Sequence, residues 1–450
     1  MSAAAAPQLR RELGLGDGLA LVVGITIGAG IFAVPGRVAQ HFSSFTGAAA
    51  AWLVAAVFAL IGSLIYAELG ARLPHTGGEY VYIHRAFGAL PAFIYGWSQL
   101  LAIRTYPTAA LMLVCAEYAE NFVKLGEHGR LALAAFLVVI LGVINYFGLR
   151  SGRSAQAVLT ILKVAALLAL VASAAVLLRD YRVYLAGTQI PPQALGPLGN
   201  FSSAMLLTIF TFVGWDRVGY LAGEMRDPER NIPRALLGGA AIVAFLYLSV
   251  NFFYHAAMPI SVLSASRVPA ADLSRLLWGP AGVAVIALAV MVSTFGAQNG
   301  NIMASSRVYY AMASDGLFLR SFGRVQPRWR SPHVAIAAHC GWAIVLLLAS
   351  RTVESLIGSY VFSLLILWSA VTLAYFKFRR GGASAPFLAP GYPWLPALYL
   401  ATMAAMTVAT CYFRPQSAVA NLALMASGLP FYLIWRKRRA GRERTWLDIC

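Results

Sequence analysis

The chain has 450 residues, of which 60% are hydrophobic and 12% are charged. Because a soluble domain carries about 25% charged residues, this composition excludes a soluble globular protein. The formal net charge of +18 would suit a nucleic-acid-binding protein, but the basic residues lie between apolar stretches, as they do in membrane proteins. We therefore expect no nucleic-acid partner.

Apolar runs long enough to cross a bilayer recur through the whole sequence. A spanning helix needs about 20 apolar residues, and about twelve runs approach this length. They cover residues 19–41, 46–71, 88–118, 130–148, 154–178, 199–222, 235–258, 279–312, 333–350, 354–376, 392–413 and 417–435. The sequence thus predicts an all-α polytopic membrane protein of about twelve transmembrane helices.

The arginines and lysines predict the orientation of these spans. They are concentrated in alternate connecting segments and in the basic tail, residues 436–450. With an even number of spans, the positive-inside rule places both termini, including residues 1–18, in the cytoplasm. No cleavable signal peptide is expected, because the first apolar run is too long and too rich in glycine. We expect a multi-pass protein of the cell (inner) membrane whose tail contacts anionic lipid.

The sequence contains no pattern typical of an enzyme or a metal site. Cys115, Cys340, Cys411 and Cys450 have neither the spacing of metal ligands nor an evident pairing. The HExxH, GxSxG and Walker motifs are absent. We therefore expect no catalytic residue, no metal and no cofactor, and any movement of a solute would have to be driven by exchange or by an ion gradient.

Glycines interrupt the first predicted span. Gly28 and Gly30 flank Ala29, so that backbone N–H groups can face a cavity without a bulky side chain in front of them. The helix that resumes at Ile31 would present the positive end of its dipole, which suits a carboxylate. In lipid, a helix is interrupted only where it lines a protein cavity.

The residues before this break offer acceptors. The backbone carbonyls of Ile25, Thr26 and Ile27 end the preceding half-helix and suit an ammonium group. One interrupted helix could therefore hold both ends of a zwitterion. Close helix packing is an alternative reading, because Gly24 and Gly28 also form a GxxxG motif.

A second break lies at the matching position of the second half. Phe210, Val213 and Gly214 are followed directly by Asp216. Paired breaks in two halves of a membrane protein indicate the central site of a secondary transporter. Asp216 could cap the second half-helix or contact the ligand, and both roles stay open.

Charged and aromatic residues within other spans give further candidates. Lys163 lies well inside the fifth span, where it could exchange a proton, act as a permanent cation bonded to carbonyls, or pair with a carboxylate. Tyr106 could form an aromatic wall of the cavity. No role is assigned to Arg104. We expect Arg217 on the cytoplasmic side of the sixth span and Arg307 to extend towards the membrane surface.

A series of motifs along nearly the whole chain resembles the amino acid–polyamine–organocation (APC) superfamily. The resemblance is closest to its L-type amino acid transporter branch and the bacterial homologues of that branch. The motifs are residues 28–32, 66–70, 74–83, 116–118, 163, 210–215, 223–233, 305–307 and 315–316.

The resemblance implies two inverted five-helix repeats, at residues 19–178 and 199–376, with broken first and sixth helices. Two further helices lie within residues 392–435. It also implies sodium-independent transport, with Lys163 in the place of a sodium site used by more distant relatives. Phe210 matches the aromatic residue that closes over bound substrate.

The same resemblance implies where the charged groups of the substrate bind. The carboxylate is expected at Gly28, Ala29 and Gly30. The ammonium is expected at the carbonyls of Thr26, Ile27 and Phe210.

Three departures from the family pattern bear on the substrate. Ala29 replaces a frequent serine, so that one hydroxyl to the carboxylate is missing. Val213 replaces a small residue, which narrows the pocket. Asp216 stands where the branch usually has a neutral polar residue. Cationic amino acids or amines therefore remain an alternative class of substrate.

These features predict a sodium-independent permease for a small to medium neutral L-amino acid, working by exchange or proton coupling. The alternatives are a cationic amino acid or polyamine exchanger that uses Asp216, and a non-transporting sensor built on a transporter fold. Relatives in animals bind a single-span glycoprotein through a cysteine in the loop after the third span. The corresponding loop, residues 121–130, contains no cysteine, so no disulfide-linked subunit is expected.

Overall fold

The structure is a computed structural model that describes residues 11–28, 30–75, 77–147, 149–178, 196–266, 268–350, 353–382 and 385–434. The regular secondary structure of these residues is helical. The first half contains α1 (Leu15–Thr26), α2 (Gly30–Ala39), α3 (Phe45–Arg72), α4 (Glu79–Phe87), α5 (Ala89–Ser98), α6 (Thr105–Ala119), α7 (Gly126–Tyr146) and α8 (Leu149–Leu177). A π-helical segment, Gln99–Ile103, joins α5 to α6.

The second half continues in the same manner. It contains α9 (Gly196–Phe212), α10 (Pro228–Ala257), α11 (Ile260–Ala265), α12 (Pro269–Trp278), α13 (Pro280–Ser314), α14 (His333–Ser350), α15 (Val353–Arg380), α16 (Trp394–Phe413) and α17 (Pro415–Ala426). Two 3₁₀ helices, Trp215–Glu224 and Arg320–Gly323, follow α9 and α13.

The number of spans agrees with the sequence prediction. Among the described residues, 10 helical segments are long and apolar enough to cross a membrane, and the bent pair of α1 and α2 gives an eleventh. A shorter apolar helix, Ala418–Ile434, coincides with the twelfth predicted span. The prediction of an all-α polytopic membrane protein of about twelve helices is confirmed.

The outer surface of the bundle is apolar, as a lipid environment requires. Large side chains on the outward faces are exposed, among them Leu53, Phe136 and Val143. Backbone polar groups there are satisfied within each helix, which is the condition for contact with hydrocarbon. Polar and charged side chains are instead collected inside the bundle, around the two broken spans.

The broken spans occupy the centre of the bundle. α1 packs against α8, α10 and α13, and the 3₁₀ helix Trp215–Glu224 packs against α1, α3, α10 and α13. The end of the bundle that carries Arg72, Arg226 and Arg379 is called the basic end below. There the backbone of Leu13 accepts a hydrogen bond from the N–H of Arg226 at 2.8 Å, which joins the start of α1 to the start of α10.

Candidate functional site

The two breaks predicted from the sequence contact each other. α1 ends at Thr26 and α2 begins at Gly30, with a bend of 40° between them. Gly214 follows α9 with φ of 134°, a conformation that favours glycine. A Cβ atom on Gly214 would lie 2.8 Å from the backbone nitrogen of Thr26, and one on Gly30 would lie 3.0 Å from Thr211 Cγ2. Gly214 is therefore required where the two breaks touch, and Gly30 leaves little room for a side chain.

A small cavity lies between the breaks. The volume open to the centre of a water-sized sphere is about 40 Å³. The lining residues are Ile25, Thr26, Gly28, Gly30, Pro107, Leu111, Phe210, Thr211, Val213, Arg217, Gln298, Asn301 and Tyr360. The cavity therefore combines apolar walls with a few polar groups, which is the usual composition of a small-molecule site.

Six of the sequence candidates line this cavity. They are Ile25, Thr26, Gly28, Gly30, Phe210 and Val213. Ile27, Gly214, Asp216 and Tyr106 do not belong to the lining, and Ala29 lies outside the described residues. Gln298 and Asn301 also line the cavity and were not predicted from the sequence, and Arg217 was predicted without a role at the cavity. The two amides are polar residues three apart in an apolar span, a signal that could have identified them.

Lys163 lies in α8, and its side chain holds the first break in place. Its Nζ donates to the carbonyl oxygens of Gly24 at 2.6 Å, Ile27 at 2.9 Å and Ser293 at 3.0 Å. An ammonium has three N–H donors, so all of them are used. Among the described residues no carboxylate lies within 4 Å of Lys163, which is buried. The ammonium thus occupies a site formed by carbonyl oxygens.

Other donors satisfy the remaining carbonyls at this break. The carbonyl of Ile27 also accepts a hydrogen bond from Ser293 Oγ at 3.0 Å. The carbonyl of Thr26 accepts from the Gly28 N–H and from the Tyr247 hydroxyl, both at 2.8 Å. Since a carbonyl has two lone pairs, neither carbonyl keeps one for a ligand. The expectation that Thr26 and Ile27 hold an ammonium is therefore not supported by the geometry.

The start of α2 offers the complementary groups. Gly30 is the first residue of this helix and lines the cavity. The first N–H groups of a helix have no acceptor within it, and the helix dipole adds partial positive charge there. The break can therefore hold an anion at the cavity.

Asp216 forms ion pairs and does not cap the 3₁₀ helix. The residue preceding that helix is Gly214, and no side chain caps the helix N-terminus. Asp216 Oδ2 accepts hydrogen bonds from Arg217 Nη1 at 3.0 Å and from Arg104 Nη2 at 3.3 Å. All three side chains are buried. Asp216 thus lies behind the cavity wall and is neutralised by guanidinium groups.

Glu79, at the start of α4, completes this buried group. Its carboxylate accepts hydrogen bonds from the hydroxyls of Tyr66, Tyr95 and Tyr220 and, at 3.3 Å, from Arg104 Nη2. Arg104 Nη2 also donates to the Tyr220 hydroxyl. We call Glu79, Arg104, Asp216, Arg217 and these three tyrosines the basic-end network. It ties the second break to α3, α4 and α5 and closes the cavity towards the basic end.

One expectation about the arginines is wrong. Arg307 does not extend to the surface but is buried, donating from Nε to Glu224 at 3.1 Å and from Nη1 to the carbonyl of Met303 at 2.8 Å. Arg217 follows the second break towards the basic end, on the side of the span that was expected, and it is buried and lines the cavity. Both residues have acidic partners that neutralise them inside the bundle, so neither needs to reach water.

Polar side chains of α6 and α13 position the amide wall of the cavity. Asn301 Nδ2 donates to the carbonyl of Arg104 at 2.9 Å and to Gln298 Oε1 at 3.1 Å. Thr108 Oγ1 donates to the same oxygen of Gln298 at 2.9 Å and lies 3.0 Å from His339 Nε2. These bonds fix the two amides against the cavity.

The other end of the cavity is closed by aromatic rings. The rings of Phe210 and Tyr360 meet edge to face, with centroids 5.9 Å apart. Beyond them lies a vestibule of about 900 Å³, which begins one helical turn further along α2, α6 and α9, at Ala33, Val114 and Leu207. The Phe210–Tyr360 pair thus separates the small cavity from a much larger space at the end opposite the basic end.

The sequence matches the model of the amino acid permease family over residues 13–434. The serine/threonine exchanger SteT of Bacillus subtilis is 29% identical over 437 residues, which cover 96% of this chain and 98% of that protein. The human cystine/glutamate transporter is 29% identical over 445 residues, covering 96% of this chain and 87% of that protein.

A third relative is also similar over nearly the full length of this chain. The human b(0,+)-type amino acid transporter 1 is 27% identical over 439 residues, covering 95% of this chain and 88% of that protein. These relatives are transporters and not enzymes, and they align over nearly the full length of this chain. The chain therefore belongs to the amino acid permease family of the APC superfamily, a family of transmembrane amino acid transporters.

Proposed function

We propose that this protein moves a small to medium neutral L-amino acid across the cell membrane by alternating access, without sodium. The observation that carries the proposal is the meeting of two interrupted helices around a buried cavity, in a chain that belongs to the amino acid permease family. The size of about 40 Å³ favours a small substrate in the closed arrangement.

The substrate is oriented by backbone groups. Its carboxylate lies at the first turn of α2, by Gly30, because the N–H groups there have no helical acceptors. Its ammonium lies by the carbonyls of Ile25 and Phe210, since those of Thr26 and Ile27 already accept two protein donors each. The backbone thus recognises what every α-amino acid shares.

Lys163 serves as a permanent cation in this proposal. Its three bonds to carbonyl oxygens give the first break the positive charge that a bound sodium ion would give. With all three N–H groups bonded, Lys163 is not used for proton coupling. We therefore favour exchange over proton symport, which agrees with the name of the Bacillus subtilis relative.

The orientation follows the positive-inside rule. We propose that the basic end and both termini lie in the cytoplasm of a cell whose plasma or inner membrane holds the protein. The vestibule then faces outward, and Phe210 with Tyr360 closes the cavity beneath it. We further propose that no disulfide-linked subunit is needed, since residues 121–130 contain no cysteine.

The geometry does not favour the cationic substrate. Asp216 is bonded to two guanidinium groups, and the charged side chain that lines the cavity is that of Arg217. A lysine or polyamine would meet this guanidinium, and like charges in a buried site repel strongly.

The proposal is tested by uptake into proteoliposomes that contain the purified protein. Labelled alanine, serine and leucine are supplied outside, with and without internal unlabelled amino acid and with sodium or potassium as the cation. We expect saturable uptake that is stimulated by internal amino acid and is equal in both salts. Absence of saturable uptake with every amino acid would overturn the proposal and leave the sensor alternative.

A further inference from the structure

The side chain of Arg217 is only partly satisfied where it lines the central cavity. Nη1 donates to Asp216 Oδ2 at 3.0 Å. Nε is buried and has no hydrogen-bond partner among the described residues. A buried N–H without an acceptor costs free energy, and a guanidinium has five N–H donors to satisfy. The wall of the cavity therefore contains a guanidinium whose N–H groups are not all bonded.

The surroundings of Arg217 also contain more donors than acceptors. Arg104 Nε and Nη1 are buried and unpartnered in the described part of the chain, whereas Asp216 Oδ1 is the one acceptor of the three ion pairs of this group in that condition. Gln298 Oε1 in the cavity wall already accepts two hydrogen bonds. A ligand that complements this side of the cavity supplies an acceptor.

The charges of the same group favour a neutral acceptor. Arg104 and Arg217 carry two positive charges, and Glu79 and Asp216 carry two negative charges, at contact distances of 3.0 to 3.3 Å. A ligand carboxylate beside Arg217 would leave one uncompensated charge inside the bundle, which is expensive. A hydroxyl or a carboxamide offers the oxygen without the charge.

We propose that Arg217 is a specificity-determining residue that selects amino acids with a neutral oxygen in a short side chain. This inference rests on the proposed function, because it assumes that the substrate backbone lies between the breaks. The hydroxyl or amide oxygen accepts a hydrogen bond from the Arg217 guanidinium. Cationic side chains are excluded by its charge, and apolar side chains leave its N–H unsatisfied.

The first test compares substrates in the unaltered protein and in Arg217→Met, which keeps the length of the side chain and removes its donors. We expect serine and asparagine to exceed alanine in kcat/KM by about tenfold, because a hydrogen bond to a charged group has about that value. Arg217→Met should remove this preference, and Arg217→Lys should retain part of it. The matched control is Arg275→Met, because Arg275 is exposed in α12.

Equal kcat/KM for serine and alanine in the unaltered protein would overturn the inference, whatever the stability of the variants. So would an undiminished preference in Arg217→Met. In both cases saturable alanine uptake would leave the proposed function standing. Loss of uptake of all amino acids by the unaltered protein would instead refute the proposed function itself.

A second test changes the balance of charge around Arg217. Asp216→Asn removes one negative charge, so that Arg217 is no longer balanced. We expect aspartate, which does not compete with labelled serine in the unaltered protein, to become a competitor in Asp216→Asn. Acquisition of lysine rather than aspartate as a competitor would overturn the inference, as would aspartate competition that is already equal in the unaltered protein.

Discussion

The two breaks at the centre of this protein are held in different ways. At the first break, fixed donors from neighbouring helices bond the freed carbonyls, chiefly Lys163 and Tyr247. At the second break, Asp216 joins a charged network on one side and Phe210 contacts the ring of Tyr360 on the other. The comparison indicates that the first break is an anchor, whereas the second carries the parts that must separate when the cavity opens.

The energetics of the two closures at the second break also differ. The basic-end network consists of directional bonds between charged and hydroxyl groups, which strengthen one another in a low dielectric. The Phe210–Tyr360 contact is apolar and edge to face, worth about 0.5–1.5 kcal/mol beyond its buried area. We therefore expect the aromatic closure to open readily and the basic-end network to present the larger barrier.

The largest effect is expected when the anchor is removed. Lys163→Ala removes one donor from each of the carbonyls of Gly24, Ile27 and Ser293, of which Ile27 keeps the Ser293 hydroxyl, and a buried group left unsatisfied costs about 1–3 kcal/mol. We expect uptake to fall to background and the unfolding temperature in detergent to drop sharply. In the unaltered protein, an imposed proton gradient should not drive accumulation. Normal uptake by Lys163→Ala would refute the hypothesis that Lys163 holds the first break in place.

The next effect concerns the charged side of the second break. Arg104→Met leaves Glu79 and Asp216 with a single guanidinium, and loss of one partner of a buried ion pair costs about 3–5 kcal/mol. We expect reduced thermal stability and slow or absent exchange. Arg130→Met is the control, because its ion pair with Glu120 is partly exposed. Equal unfolding temperatures of the two variants would show that the basic-end network is not a strong closure.

A smaller effect is expected on the aromatic side. Phe210→Ala removes the ring that meets Tyr360 and should weaken the apparent affinity for substrate by about tenfold, in line with the loss of one aromatic contact. Phe210→Tyr keeps the ring and should stay close to the unaltered protein. The measurement is the concentration dependence of exchange in proteoliposomes. Unchanged affinity in Phe210→Ala would mean that the ring does not close over the substrate.

The smallest effect is expected for a single donor at the anchor. Tyr247→Phe removes one hydrogen bond to the carbonyl of Thr26, with a cost of about 0.5–1.5 kcal/mol. Uptake should persist with a slightly lower unfolding temperature. A loss as severe as that of Lys163→Ala would indicate that the anchor depends on Tyr247 as much as on the lysine.

Much of the architecture could be predicted from the sequence, because a bilayer imposes strong local rules. The spans, the interruptions near Gly28 and Gly214, and the unusual position of Lys163 depend on hydrophobicity and backbone requirements that are visible in short stretches. The motifs along the chain also predicted membership of the APC superfamily, and the match to the amino acid permease family over residues 13–434 confirms that membership.

The partners of the buried charges could not be predicted in this way. Arg104 had no assigned role, and Arg307 was expected at the surface, yet each has a carboxylate partner that is distant in the sequence. Asp216 and Arg217 are adjacent, and only one of them lines the cavity. Which of the two faces inward depends on the tight 3₁₀ turn after Gly214.

The sequence by itself therefore determined the class of this protein, its spans and the location of its two breaks, because the solvent around a membrane protein restricts composition locally. The tertiary structure decided which groups satisfy the breaks and which charged side chain lines the cavity. Those choices depend on contacts such as Gly214 with Thr26 and Lys163 with Ser293, which form only when distant helices pack together.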